Sequence, residues 1–392
     1  MTFDATRVVH EGRRPADFHG VVNTPVFRAS TVLSPTIADW NHRKKERAAE
    51  QPGTYYGRHG TPTTHTFQDA IAALEGGSKT LVFPSGLAAC ACAILSFVQT
   101  GDHVLISDSA YDPTRRLAAG VLKRFGVSTT FYDPCIGAGI ADLITPKTRL
   151  IFTESPGSHT FEVQDIPQLA EIAHRRGAVV AMDNTWATPL YFKPFEHGVD
   201  ISVQAATKYI VGHSDAMLGT VTVTQALWPQ LKSTAYDLGQ IASPDDCYLA
   251  ARGLRTLAVR LRQHWENGVQ LSEWIARQPE VERVLQPALE SDPGHALWKR
   301  DFKGASGLFA VQFKPCASAA LEALIDGLEL YGIGASWGGY ESLVLPINPA
   351  DHRAATTWKA DGPMIRVHAG LEDVRDLIAD MDAGFRRLRA SA

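Results

Sequence analysis

Between residues 80 and 224 short apolar runs alternate with helical stretches, and that alternation restricts the fold more than any other feature of the chain. The runs are Thr80–Phe83, Val104–Ile106, Leu150–Thr153, Ala178–Met182, Ile201–Val203 and Thr220–Thr224. They are too short for helices, and the first four are apolar at consecutive rather than alternate positions, as strands covered on both faces tend to be. Thr66–Leu74 carries Phe67, Ala70, Ile71 and Leu74 at helical spacing and stops at Gly76-Gly77. Asp165–Arg176 is a second helical stretch, ended by Gly177. Strand and helix in turn imply an α/β architecture around a parallel sheet. In such sheets ligands bind beyond the carboxyl ends of the strands. Ser85-Gly86, Asp108, Glu154, Asp183 and Lys208 all fall there.

The flanks read differently. Residues 1–55 are polar and irregular, with Pro15, Pro25, Pro35 and Pro52, and form an arm expected to contact a neighbouring subunit. The run His42–Arg47 within it is expected to be a solvated helix face. After residue 245 a long helix is expected over Leu254–Trp274, with Arg255, Arg260 and Arg262 mostly on a solvated face. Leu308–Phe313 and Met364–Val367 read as strands of a smaller sheet. The expected division is therefore an arm (1–55), a large domain (56–245) and a C-terminal α/β domain (246–392).

Several function classes drop out. A net charge of -4 gives no basic footprint for nucleic acid. The N-terminus has no apolar leader, and the longest nearly apolar stretch, Leu87–Val98, suits a buried helix rather than a membrane span. A cytoplasmic protein is expected, with no membrane or nucleic-acid partner. Five cysteines (Cys90, Cys92, Cys135, Cys247, Cys316) are an odd number and read as free thiols used as small buried residues. No metal-ligand spacing stands out, and no metal is expected.

Two strand ends carry the chemistry. Ala178–Met182 delivers Asp183, and the next strand leads to Lys208 in Ala206-Thr207-Lys208-Tyr209. A lysine that can hold an aldehyde as a Schiff base, with a carboxylate to keep a pyridine nitrogen protonated, is what pyridoxal phosphate catalysis requires. The same lysine can serve as a base once it loses its proton. Phe83-Pro84-Ser85-Gly86-Leu87 is a strand end, a glycine turn and a helix start, an arrangement that receives phosphate, and Thr207 offers a hydroxyl beside the lysine. Tyr111 is placed to stack on a cofactor ring and to handle protons. Arg366, inside an apolar strand, needs a partner, either a substrate carboxylate or a structural ion pair.

The order of Tyr55-Tyr56-Gly57-Arg58, Glu154-Ser155-Pro156-Gly157-Ser158, Asp183-Asn184-Thr185-Trp186, Thr207-Lys208-Tyr209, Gly212-His213-Ser214-Asp215, Arg252-Gly253-Leu254-Arg255 and Ser336-Trp337-Gly338-Gly339-Tyr340-Glu341 resembles the pyridoxal-phosphate enzymes of cysteine and methionine metabolism. The resemblance runs from about residue 20 to the C-terminus. It implies a fold type I enzyme, aspartate-aminotransferase-like, assembled as a homotetramer of two catalytic dimers. It also implies that Tyr56 and Arg58 reach the neighbour's cofactor phosphate, and that Gly86, Leu87 and Thr207 bind the phosphate within the subunit. Tyr111 matches the stacking tyrosine, Asp183 the pyridinium partner and Lys208 the Schiff-base lysine. Ser336 and Arg366 match the holders of the substrate α-carboxylate, with Trp337 beside them, and Ser158 stands near the ring oxygen. Within the family, Trp337, Ala335 and Pro156-Gly157-Ser158 resemble the β-eliminating branch, which cleaves cystathionine to homocysteine, pyruvate and ammonia. Other cysteine S-conjugates, cystine and the γ-acting reactions are the alternatives. His59, Arg115-Arg116 and Ala335 depart from the pattern of that branch and are expected to border the leaving group.

Overall fold

The structure, a computed structural model, describes residues 2–391. The larger sheet comprises β1 (Lys79–Phe83), β2 (His103–Ser107), β3 (Ser128–Tyr132), β4 (Thr148–Glu154), β5 (Val179–Asp183), β6 (Ile201–Gln204) and β7 (Gly219–Val223). Their order is β1-β7-β6-β5-β4-β2-β3, and β7 runs antiparallel to both of its neighbours. The six apolar runs are all strands, although the one at Thr220–Thr224 breaks the parallel pattern. β3 escapes the apolar-run pattern because Ser128–Tyr132 is an edge strand whose first residues are only partly covered.

Successive side chains of a strand leave on opposite faces, and both faces of this sheet are covered. Leu150 and Phe152 pack with Ala89, Ala93 and Ile94 of the helix Gly86–Leu95. Ile151, between them, packs with Ile166, Leu169 and Ala173 of the helix Ile166–Arg175. Glu154 and Asp183 end β4 and β5 opposite one another in register. By parity with Phe152 and Ala181 they face the side of the helix Gly86–Leu95.

The smaller sheet has β8 (Val281–Leu285), β9 (Leu308–Phe313), β10 (Tyr331–Ile333), β11 (Ser342–Ile347) and β12 (Met364–His368), in the order β10-β11-β12-β9-β8. Leu377, Met381, Phe385 and Leu388 of the helix Val374–Ala390 pack into its core.

Four expectations need correction. The helix expected over Leu254–Trp274 is two helices, Pro244–Arg255 and Leu257–Ala276, that meet at Thr256. Of its arginines only Arg262 lies on a solvated face. Arg255 donates to the Val8 and Glu11 carbonyls, both at 2.9 Å. Arg260 is buried and donates to the carbonyls of Tyr209 (2.8 Å) and Ile210 (3.3 Å), which the turn after Lys208 leaves without strand partners, and to the Gly253 carbonyl (2.8 Å) at the end of the helix Pro244–Arg255. The N-terminal stretch is not irregular: Asp4–His10 is a helix whose Val8 is buried with Phe67 and Ile71 of its own chain, and Ile37–Ala48 is a helix without a buried residue. Finally, Cys90, Cys92 and Cys247 are buried, but Cys135 lies at the surface and Cys316 is half-covered.

Arg260→Ala should strip the Tyr209 and Ile210 carbonyls of this donor at about 2–3 kcal/mol in total, while the Gly253 carbonyl keeps the Thr256 N–H and hydroxyl. The expected outcome is a lower urea midpoint and weaker cofactor retention; an unchanged midpoint would mean that water replaces the guanidinium at no cost.

Candidate active site

Lys208 stands in a tight turn after β6, where its N–H donates to the Ala205 carbonyl (3.0 Å) and its carbonyl accepts from Gly212 (2.8 Å). Gly338 presses against this turn with φ +86°. A Cβ there would come within 2.8 Å of the Tyr209 nitrogen and 3.0 Å of the Lys208 Cα, so only glycine allows the approach. The Gly338 N–H donates to His368 Nε2 at 3.1 Å. The proton on that neutral ring therefore sits on Nδ1, 3.1 Å from the Glu341 carbonyl. Lys208 Nζ donates to Ser336 Oγ at 2.7 Å and lies 5.2 Å from the Trp337 ring centre. Burial, and then the nearby Arg366 guanidinium, push the amine down to about 8, while Asp183 opposes them.

Asp183 is buried and has no cation within ion-pair distance among the described residues. Burial pushes its carboxyl up; hydrogen bonds from the Thr185 amide (3.0 Å) and hydroxyl pull it back. A third donor, the Cys90 thiol, lies 3.8 Å from Oδ2. The sequence treats Cys90 as an ordinary buried residue, and nothing in its neighbourhood along the chain shows that a helix packed on the sheet brings it to Asp183.

Arg366 is buried in β12, and its Nη2 donates to the carbonyls of Ala335 (3.0 Å), Ser336 (3.1 Å) and Gly334 (3.3 Å). Burial lowers it to about 10, so it stays cationic at neutral pH. Among the described residues no carboxylate pairs with it, which leaves the charge to a ligand rather than to a structural ion pair. Tyr111 precedes the short helix Asp112–Leu117 with its side chain half-exposed, and burial followed by Glu154 raises its hydroxyl. Ser158 is joined to the Tyr111 loop through its N–H, 2.7 Å from the Ser109 carbonyl. Gly86 opens its helix with the Ser85 side chain accepting the Ala88 N–H at 3.1 Å, which leaves the Gly86 and Leu87 amides free of helical partners. Thr207 Oγ1 donates to the Leu218 carbonyl (3.1 Å) and accepts the Leu218 N–H (2.8 Å).

Other residues go elsewhere. Arg58 donates to the Tyr236 carbonyl at 2.9 Å and sits over the exposed Tyr56 ring, so both lie against the helix Trp228–Asp237 and not with Lys208 of the same chain. Asp108 ends at the ligand side of the sheet yet has no capacity left for a ligand. It pairs with buried Arg115 at 2.7 Å and accepts the N–H groups of Ala354, Ala355 and Thr356 from the loop between β11 and β12. That overturns the expectation for Arg115 as well: a buried carboxylate needs a cation, and only Arg116, paired with Asp112 at 3.1 Å, remains at the surface.

A largely buried amine poised near neutrality, a buried carboxylate without a counter-ion, a helix N-terminus and an unpaired arginine match the aldehyde, ring nitrogen and phosphate of pyridoxal phosphate and the carboxylate of an amino acid. With a mostly parallel sheet beneath them, they define a pyridoxal phosphate enzyme of fold type I. The family model of the Cys/Met metabolism PLP-dependent enzymes matches residues 5–386, and the chain belongs to that family. It is 49% identical to a putative cystathionine beta-lyase of Rhizobium johnstonii over 97% of this chain and 95% of that one. It is 44% identical to the cystathionine beta-lyase MetC of Escherichia coli over 98% of each. The crystal structure of MetB from Corynebacterium glutamicum superposes with a TM-score of 0.90 at 30% identity, covering 99% of both chains.

Capture of pyridoxal phosphate by Lys208 needs the neutral amine. Its rate, followed by borohydride fixation and mass analysis, should rise through about pH 8 rather than through the range of an ordinary lysine. Arg366→Met should move that midpoint upward by removing a neighbouring cation. A midpoint that does not respond to the substitution would remove Arg366 as a cause.

Proposed function

We propose that the protein is a carbon–sulfur β-lyase that cleaves L-cystathionine to homocysteine, pyruvate and ammonia. The observation that carries this reading is the placement of Lys208 Nζ against Ser336 Oγ and the Trp337 ring, with Arg366 gathering the backbone of the same segment, in a chain 43–49% identical to several cystathionine beta-lyases.

Arg366 and Ser336 take the substrate α-carboxylate, which points the Cα–H bond toward Lys208. Neutral Lys208 removes that proton, and its depressed basicity keeps a working fraction of the amine available near neutral pH. When bound, pyridoxal phosphate supplies the electron sink that makes this proton removable. Asp183 would face the ring nitrogen with the opposite charge, and Tyr111 would stack on the ring. Lys208 then gives its proton to the departing sulfur, so a single amine serves as base and acid. Gly86, Leu87 and Thr207 would hold the phosphate from within the chain, and Ser158 would stand near the ring oxygen. Trp337 walls the site beside the amine, and with Ala335 and Pro156-Gly157-Ser158 it resembles the β-eliminating branch rather than the γ-acting one.

The assembly proposed is a homotetramer of catalytic dimers in the cytoplasm. The contacts of Tyr56 and Arg58 away from their own Lys208 support shared sites, with each chain completing its neighbour's phosphate pocket. Among the described residues no helix is long and apolar enough to cross a membrane.

Product analysis with L-cystathionine tests the chemistry: pyruvate with homocysteine is expected, abolished by Lys208→Ala, whereas 2-oxobutyrate with cysteine would mean γ-elimination. Shared sites have a separate test. Mixing inactive Lys208→Ala and Arg58→Ala chains after gentle dissociation should restore part of the activity, because one site of each hybrid dimer is then intact. No recovery in confirmed hybrids would place Arg58 in its own chain's site.

A further inference from the structure

Glu154 has no part in the chemistry above, yet its carboxylate lies inside the site. It ends β4 directly opposite Asp183 of β5, on the same face of the sheet. Its Oε2 accepts the Tyr111 backbone N–H at 2.7 Å. That amide belongs to the residue before a helix whose first turn has no side-chain cap, so Glu154 supplies an acceptor the local sequence lacks. The rest of the Tyr111 loop is tied down elsewhere, through Arg115 on Asp108 and through Ser109 on Ser158. Glu154 is the direct tie from the Tyr111 backbone to the end of β4.

No cation balances this carboxylate among the described residues. Two carboxylates at adjoining strand ends repel when both are ionised, and Asp183 is the one required to face a positive ring nitrogen. Burial, and then the Asp183 charge, push the Glu154 carboxyl well above the usual carboxylate range. A protonated carboxyl still offers its carbonyl oxygen to the Tyr111 N–H.

We infer that Glu154 is a positioning residue whose carboxyl, by accepting the Tyr111 N–H, holds the Tyr111 backbone so that the tyrosine ring lies over the bound cofactor. The inference rests on the placement of Tyr111 proposed above. Its distinctive consequence is that glutamine, which is neutral and carries the same acceptor, can replace the residue, whereas a side chain without an acceptor cannot.

The test uses cofactor-depleted protein titrated with pyridoxal phosphate, followed by visible absorbance and by visible circular dichroism, which reports how asymmetrically the cofactor is held. Glu154→Ala should weaken cofactor binding by about tenfold, the scale of one well-placed hydrogen bond, and diminish the dichroic band. Glu154→Gln should bind within about twofold of the unaltered protein and keep the band, a rescue that general loss of packing would not produce. If Glu154→Ala does not fold, Glu154→Asp, which draws the acceptor back by one methylene, should show the same weakening to a smaller degree. Unaltered binding and dichroism in the variant that folds would overturn the inference, as would a glutamine variant as weak as the alanine one. Failure of the unaltered protein to take up cofactor would instead overturn the cofactor reading, and this inference with it.

Discussion

The structure concentrates ionisable groups where water is scarce and gives them too few counter-ions. Burial is the first cause of the shift at Lys208, Asp183, Glu154 and Arg366, and the next cause is the Arg366 guanidinium at Lys208 and the Asp183 charge at Glu154. Buried charges of this kind cost several kcal/mol apiece unless they are paired. Here the pairing is left for a ligand with an anionic phosphate, a basic ring nitrogen and an amino-acid carboxylate. The uncompensated charge is what makes the site a binding site, and the rest of the fold keeps it from relaxing.

Two devices prevent that relaxation. Behind Lys208, Arg260 collects the carbonyls of Tyr209, Ile210 and Gly253, and Gly338 fills the space against the Lys208 backbone that any side chain would need. At the other edge, Asp108 spends its full capacity on Arg115 and on the amides of residues 354–356. Arg353 adds an ion pair with Glu162 at 2.6 Å. The larger and smaller sheets are thus tied by buried, charge-assisted hydrogen bonds next to the strand that carries Arg366. A movement of either sheet would displace Arg366 relative to Lys208.

Much of this was legible along the chain, for identifiable reasons. A strand covered on both faces tends to be apolar throughout, so the runs from Thr80 to Thr224 announced themselves, and a residue that ends such a run, like Asp183, is delivered to the ligand side of the sheet. Edge strand β3 has no such signature, and neither does the antiparallel direction of β7, which depends on how the chain returns to the sheet. Arg260 and Arg255 looked like solvated helix charges because helical spacing shows which residues share a face, but not which loop carbonyls a neighbouring turn leaves unsatisfied. Cys90 and Asp183 meet only because a helix lies across the strand ends.

Local chemistry and periodicity therefore marked the candidate residues: a lysine, a carboxylate and a tyrosine after the ends of buried strands and an arginine inside one, in an order resembling the pyridoxal-phosphate enzymes. Those are properties of residue type and short-range spacing, and they survive without coordinates. Tertiary packing alone decided which of the strand-end acids were free. Asp108 was taken up by a loop 246 residues away, Asp183 was left unpaired, and Glu154 was set beside it with only an amide to hold. Charge balance in a buried site is a sum over everything within a few ångströms, and its members come from segments that are far apart in the chain.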